Sequence, residues 1–161
     1  MIAFNNEDIT FTLKNKSKLK NWITSTIVKT KNKPGDISFT FCSDGFLLNI
    51  NKKYLNHDTY TDIITFDYCE KSPLPPLKRG NISGDIFISI DRVKENAEKF
   101  SHIGSAQGDK KRKKESNFEE ELHRVMIHGV LHLLGYKDKS KLAKAEMTKQ
   151  EDNCLKALRK I

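Results

Sequence analysis

His128-Gly-Val-Leu-His132-Leu-Leu-Gly135-Tyr-Lys-Asp138 is the stretch from which the rest of the chain is best read. From Glu119 onward, Leu122, Val125, Met126, Val130, Leu133 and Leu134 recur at helical spacing, which predicts a helix ending at Leu134. On such a helix His128 and His132, four residues apart, share one face about one turn apart. Gly135 is placed to leave the helix through a left-handed turn, which brings Asp138 back toward the two imidazoles as a third ligand. Two nitrogens, one carboxylate oxygen and an open fourth position are the donor set of a catalytic zinc site holding one Zn2+ per chain. A structural site would more often be closed by four protein ligands including cysteines, and Cys42, Cys69 and Cys154 all lie away from this segment in sequence. Two histidines at this spacing are common in soluble helices. The same pair followed by Gly135 and Asp138 is far less so.

Outward from that helix, strands and helices interleave. Ile2 to Phe11 reads as a short strand, and Lys16 to Thr30 as a helix carrying Leu19, Trp22, Ile23 and Ile27, with Asn15 or Ser17 as its cap. Lys31 to Gly35 breaks it. Ile37 to Cys42 reads as a strand, and Ser43-Asp44 can cap a helix with Phe46, Leu47, Ile50, Tyr54 and Leu55 on one side. Thr61 to Cys69 is rich in β-branched and aromatic residues, so it reads as a strand. Ser72 to Gly80 holds three of the four prolines and reads as a loop. Gly84 to Ile90 is the clearest strand, with Asp91 placed to cap a helix through Val93, Ala97 and Phe100. Ser140 to Arg159 reads as the last helix, marked by Leu142, Ala145, Cys154, Leu155 and Leu158, while Met147 has the spacing of a core residue. The expectation is an α+β fold: one domain over residues 1–161, with a small mixed sheet packed with helices.

Composition narrows the function. The chain has 161 residues, enough to bury a core without disulfides, and its 29 Lys+Arg against 21 Asp+Glu give a net charge of +8. That excess suits a polyanionic partner such as nucleic acid, or simply a soluble surface. No stretch approaches the ~18–20 apolar residues of a membrane span, and the start lacks the pattern of a signal peptide. Three cysteines with no CxxC suggest reduced thiols, no disulfide partner and a cytoplasmic location. Gly104 to Asn117 is a polar, low-complexity stretch, read as a mobile loop or an extended helix start. It contains Lys110, Lys111, Arg112, Lys113 and Lys114, which serve either as a solvated charge run or as an arm contacting RNA phosphates.

The spacing His-x-x-x-His-x-x-Gly-x-x-(His/Asp) is that of the metzincin peptidases. Those enzymes carry their general base, Glu, directly after the first His, and here that position is Gly129. The metal frame is present and the peptidase base is missing. The segment resembles the signature of the YbeY endoribonucleases, bacterial ribosomal RNA maturation factors, in its usual form His-Gly-x-Leu-His-Leu-x-Gly-Tyr-Asp-His. The match runs from His128 through Tyr136, with Asp138 in place of the usual third His. Asn51-Lys-Lys-Tyr54 followed by Thr61-Asp62-Ile-Ile-Thr-Phe66, and Gly84-Asp85-Ile-Phe-Ile-Ser89, resemble two further motifs of that family.

The resemblance implies a zinc-dependent, single-strand-specific endoribonuclease. Its expected targets are ribosomal RNA and the small ribosomal subunit, acting at the 3′ end of the small-subunit RNA and in ribosome quality control. One departure bears on catalysis: where the family usually has Arg after the Tyr of the first motif, this chain has Leu55. Lys53, His57 and Arg79 are the candidates to hold phosphate in its stead. Cationic side chains there would offset charge developing on the phosphate. Leu55 also motivates a rival, a ribosome-assembly factor that keeps zinc for structure and cuts nothing. A divergent metallopeptidase is the third reading, and Gly129 argues against it. His57 and His123 lie off the motif and read as ordinary polar or surface histidines, His57 being the better placed to approach a substrate.

Overall fold

The clearest strand of the sequence lies inside the sheet. β4 (Asn81–Ser89) pairs on one side with β2 (Lys33–Cys42), parallel, and on the other with β3 (Ile63–Asp67), antiparallel, while β1 (Ile2–Asn6) adds in parallel to β2. The strand order is β1-β2-β4-β3. The computed structural model describes residues 1–69, 80–101 and 110–161, and of residues 100, 101 and 110–113 only the backbone. Among the described residues the four strands are joined by five helices: α1 (Lys16–Lys29), α2 (Asp44–Leu55), α3 (Ile90–Ser101), α4 (Lys110–Leu133) and α5 (Lys141–Leu158). This is the expected α+β fold with one mixed sheet.

The two faces of the sheet are covered unequally. Ile82, Ile86 and Ile88 of β4 turn toward α4 and join one large core with Phe39, Trp22, Leu122, Met126 and Leu133. Their neighbour Phe87 turns the other way, toward a small cluster of Cys42, Leu47 and Ile64 under α2. Alternation along the strand puts successive side chains on opposite faces. Trp22 is buried and its indole N–H donates to the Cys154 carbonyl at 2.8 Å, tying α1 to α5. Removing such a ring typically costs about 3–5 kcal/mol.

Several boundaries differ from expectation for visible reasons. β3 is shorter than Thr61 to Cys69, because the Asp67 carboxylate accepts the Cys69 N–H at 2.9 Å and turns the chain. β1 stops at Asn6, whose side chain donates to the Phe11 carbonyl at 2.8 Å. α1 is capped at Asn15 in a left-handed conformation without a side-chain bond, so Ser17 is not its cap. Ser43 caps α2 as expected, accepting from the Phe46 N–H. Ser89, and not Asp91, caps α3: its hydroxyl accepts the Arg92 N–H at 3.2 Å, while Asp91 accepts from the Asp44 N–H at 2.9 Å. α4 begins at Lys110, ahead of Glu119, with Lys14 bonded to Glu115 and Lys114 paired with Glu98 at 2.6 Å. No disulfide joins the three cysteines, and burial pushes the Cys42 thiol up to about 12, which leaves it unreactive. No helix among the described residues is long and apolar enough to cross a membrane.

Candidate metal centre

The site is assembled where α4 hands over to α5. α4 ends at Leu133, and Gly135 follows with φ 98, a conformation that a Cβ would strain. The Gly135 N–H bonds the His132 carbonyl at 2.9 Å and the Tyr136 N–H bonds the Leu131 carbonyl at 3.0 Å, the two bonds of a Schellman ending. This turn aims the Tyr136 carbonyl back at the helix, where it accepts from His132 Nδ1 at 3.0 Å. Two residues further on, Asp138 reaches the histidines, and Ser140 then caps α5 through the Ala143 N–H at 3.1 Å.

α5 contributes from the other side. Met147, Glu151, Leu155 and Leu158 form its buried stripe, so a carboxylate stands in a core register. Glu151 Oε1 lies 2.6 Å from His128 Nδ1, and Arg124 Nη1 reaches Glu151 Oε2 at 3.2 Å and Asp152 at 2.9 Å. With both Nδ1 atoms donating, to Glu151 and to Tyr136, the Nε2 atoms of both rings carry the lone pairs. Those two atoms are 2.9 Å apart, and each is 3.6 Å from Asp138 Oδ2. The three residues form a group that could hold a metal ion.

The arrangement fits zinc on its donor chemistry. Ligand bonds of ~2.0–2.1 Å at tetrahedral angles would set donors about 3.3 Å apart, and the observed triangle brackets that value. Three acceptors converging at this range repel one another unless a cation or a proton sits among them. Each histidine is oriented through its second nitrogen, by a carboxylate on His128 and a backbone carbonyl on His132, as metal-ligating imidazoles usually are. The surroundings are acidic. Burial lowers the pKa of His128, but the bonded Glu151, with Asp138 and Asp62, more than reverses this, so it stands raised. Burial and the adjacent His128 hold His132 low. Glu121, buried two turns before His128, has its carboxyl pushed up by burial.

The structure thus brings together His128, His132 and Asp138. Other candidates lie elsewhere. Lys53 sits over the Tyr54 ring, 5.1 Å from its centroid, and His57 is exposed. Among the described residues no hydrogen bond or ion pair ties either to the three-residue group. Arg79 lies outside the described residues. Lys110, Lys111, Arg112 and Lys113 open α4, where their side chains lie outside the described residues, and Lys114 is paired with Glu98. From Lys114 to His128 the helix rises about 21 Å, so this run does not reach the site. Met147 is core, as its spacing implies. His123 is half-buried and meets Trp22 edge-on with ring centroids 6.1 Å apart. Glu151 and Arg124 were not foreseen from sequence. The available signal was a Glu one turn from both Met147 and Leu155 in an apolar stripe.

Gly129 explains the missing peptidase base. A Cβ there would lie 2.9 Å from Ile63 Cδ1 and Ile86 Cγ2, so α4 packs tightly on the sheet at this position. It faces packed isoleucines and leaves no room for a carboxylate.

Comparison with known proteins gives one consistent family. The family described as Endoribonuclease YbeY matches residues 1–159. Relatives named Endoribonuclease YbeY include one from Flavobacterium psychrophilum, 45% identical over 97% of this chain and 95% of its own length. Another, from Cytophaga hutchinsonii, is 42% identical over 99% of this chain and 96% of its own. A solution structure of a Thermotoga maritima protein superposes with a TM-score of 0.55 at 25% identity, covering 98% of this chain and 89% of that one.

Proposed function

Since the chain belongs to the YbeY endoribonuclease family, we propose that it is a zinc-dependent nuclease specific for single-stranded RNA, working in the cytoplasm on the 3′ end of small-subunit ribosomal RNA and in ribosome quality control. The observation that carries the metal dependence is the convergence of His128 Nε2, His132 Nε2 and Asp138 Oδ2 within 3.6 Å. In this reading those three atoms hold one ion. When bound, zinc supplies Lewis acidity at a phosphoryl oxygen and makes water acidic near neutral pH.

The chain's own residues do the rest. Glu151 and the Tyr136 carbonyl fix the tautomers that leave both Nε2 atoms free to ligate. Asp138, at the half-exposed mouth of the group, leaves one side open to substrate. Lys53, His57 and Arg79 are the proposed phosphate contacts in place of the family's arginine, and Lys110–Lys114 a backbone contact further along the strand. Reduced cysteines and the absence of a disulfide suit the cytoplasmic placement.

The test is cleavage of a labelled single-stranded RNA by purified protein of measured metal content, repeated after chelation and with His128→Ala and His132→Ala. The reading expects cleavage to fall to background in all three cases. Unchanged cleavage in both variants would refute it. Leu55, 44% exposed and unable to bind phosphate, supports one second reading: a zinc-containing assembly factor that binds ribosomal RNA without cutting it. That reading expects salt-sensitive RNA binding with no cleavage above the chelated control.

A further inference from the structure

Large apolar side chains that remain exposed are not spread evenly over this molecule. Among the described residues there are eight, and Tyr54, Leu55, Tyr60 and Tyr68 account for half of them. Three of the four tyrosines of the chain are in that group, 58%, 55% and 61% exposed. All three flank β3. Tyr60 precedes the strand, Tyr68 follows it, and Tyr54 on α2 meets its Phe66 edge-on, with centroids 5.7 Å apart. β3 is an edge strand, and among the described residues its outer side pairs with no other strand.

The same strand runs beside the metal helix. Gly129, next to His128, packs on Ile63 at the start of β3, and Cys69 Sγ, just past its end, lies 3.8 Å from the Leu133 carbonyl. Tyr60 is three residues before Ile63, so extended chain places it within about 10 Å of that contact. Two of the rings carry a cation. Lys53 Nζ is 5.1 Å from the Tyr54 centroid and the Arg92 guanidinium 4.7 Å from that of Tyr60. The Tyr68 hydroxyl is held by Asp85 at 3.0 Å. Each ring is thus fixed on one side and offers its remaining surface to solvent.

We propose that Tyr54, Tyr60 and Tyr68 form a stacking rail for the unpaired bases of single-stranded RNA, laid along the edge strand β3, whose opposite face packs on the helix that carries His128 and His132. The proposal deepens the nuclease reading above and rests on it. An aromatic face takes any base without reading its sequence, and a neighbouring cation takes the adjoining phosphate. Bases inside a duplex have no free face to offer, so a rail of this kind selects single strands. Leu55, exposed beside Tyr54, adds apolar contact where a cation would have bound phosphate.

The experiment measures equilibrium binding of a fluorescein-labelled phosphorothioate oligouridylate, which resists cleavage, to the metal-loaded protein across a salt series. Two triple variants are compared with the wild type, Tyr54→Ala/Tyr60→Ala/Tyr68→Ala and Tyr54→Phe/Tyr60→Phe/Tyr68→Phe, each with its thermal transition recorded. The alanine variant should bind about tenfold or more weakly, and the phenylalanine variant within about threefold of wild type. The slope of log affinity against log salt should be unchanged in both, because no phosphate contact is removed. Alanine affinity within about twofold of wild type overturns the rail and leaves the nuclease reading standing. Phenylalanine losing as much as alanine overturns it too, since the hydroxyls and not the ring faces would then bind. Wild-type protein that does not bind the strand at all overturns the nuclease reading itself.

Discussion

Helix α4 has two ends held by different forces. Its first turns are basic in sequence, and Lys114 there is paired with Glu98, the two side chains being 73% and 53% exposed. Its last turns carry His128 and His132 among buried Met126, Ile127, Val130 and Leu131, with Gly129 against the sheet. An exposed ion pair contributes at most about 1 kcal/mol and fades with salt. Close helix–sheet packing around a buried hydrogen-bonded carboxylate tolerates far less change. The helix therefore has a replaceable end and a fixed end, and His128 and His132 are on the fixed one.

The comparison breaks most easily at Gly129. Gly129→Glu would restore the peptidase sequence, yet it drives a carboxylate into Ile63 and Ile86. It should cost more than about 3 kcal/mol in thermal denaturation and confer no activity on a denatured-protein substrate. A stable, peptide-cleaving variant would mean that position 129 faces the site after all.

Next in size is the Glu151 contact. Glu151→Ala removes the acceptor on His128 Nδ1 and leaves Arg124 without its buried partner. Metal affinity, measured by chelator competition, should fall about 10–100-fold, and Glu151→Gln should recover part of it by keeping an acceptor oxygen. Equal affinity in all three proteins would show that the second nitrogen of His128 needs no fixing.

Halfway along α4, His123 adds a pH dependence. Burial holds its pKa below the ordinary value, so the unfolded chain takes up a proton more readily than the folded one. Its contribution is fully present above about pH 6.5 and is lost as pH falls from there toward the lower folded value. The slope of stability against pH below that point should be shallower in His123→Phe than in wild type, by denaturant titration. An identical slope would place the titration elsewhere.

The smallest effect belongs to the exposed end. Lys114→Ala should change stability by less than about 1 kcal/mol. If the lysine run touches RNA backbone, the same variant lowers the magnitude of the salt slope of binding by about 1. An unchanged slope would leave Lys114 as a solvated charge paired with Glu98.

The division along α4 also marks what the sequence could tell. Periodicity exposed the helix and its histidines because both are local, and Gly135 announced the turn that returns Asp138. Whether the polar stretch before Glu119 was loop or extended helix start stayed open in the sequence, since Lys114 and Glu115 find their partners Glu98 and Lys14 on other elements. Glu151 lies 23 residues from His128, and only the docking of α5 makes them neighbours. Ser89 took the capping role expected of Asp91, whose carboxylate instead accepts from the Asp44 N–H of α2. The stacking surface was hidden for a similar reason: Tyr54, Tyr60 and Tyr68 share no periodicity in sequence, and only the fold gathers them around the edge strand β3.

X-ray absorption at the zinc edge of the purified protein tests the central claim most directly. The account predicts one metal per chain in a shell of nitrogen and oxygen at about 2.0–2.1 Å, with imidazole scattering that is lost in His128→Ala/His132→Ala. No stoichiometric metal, or sulfur scattering near 2.3 Å from cysteine ligands, would contradict it.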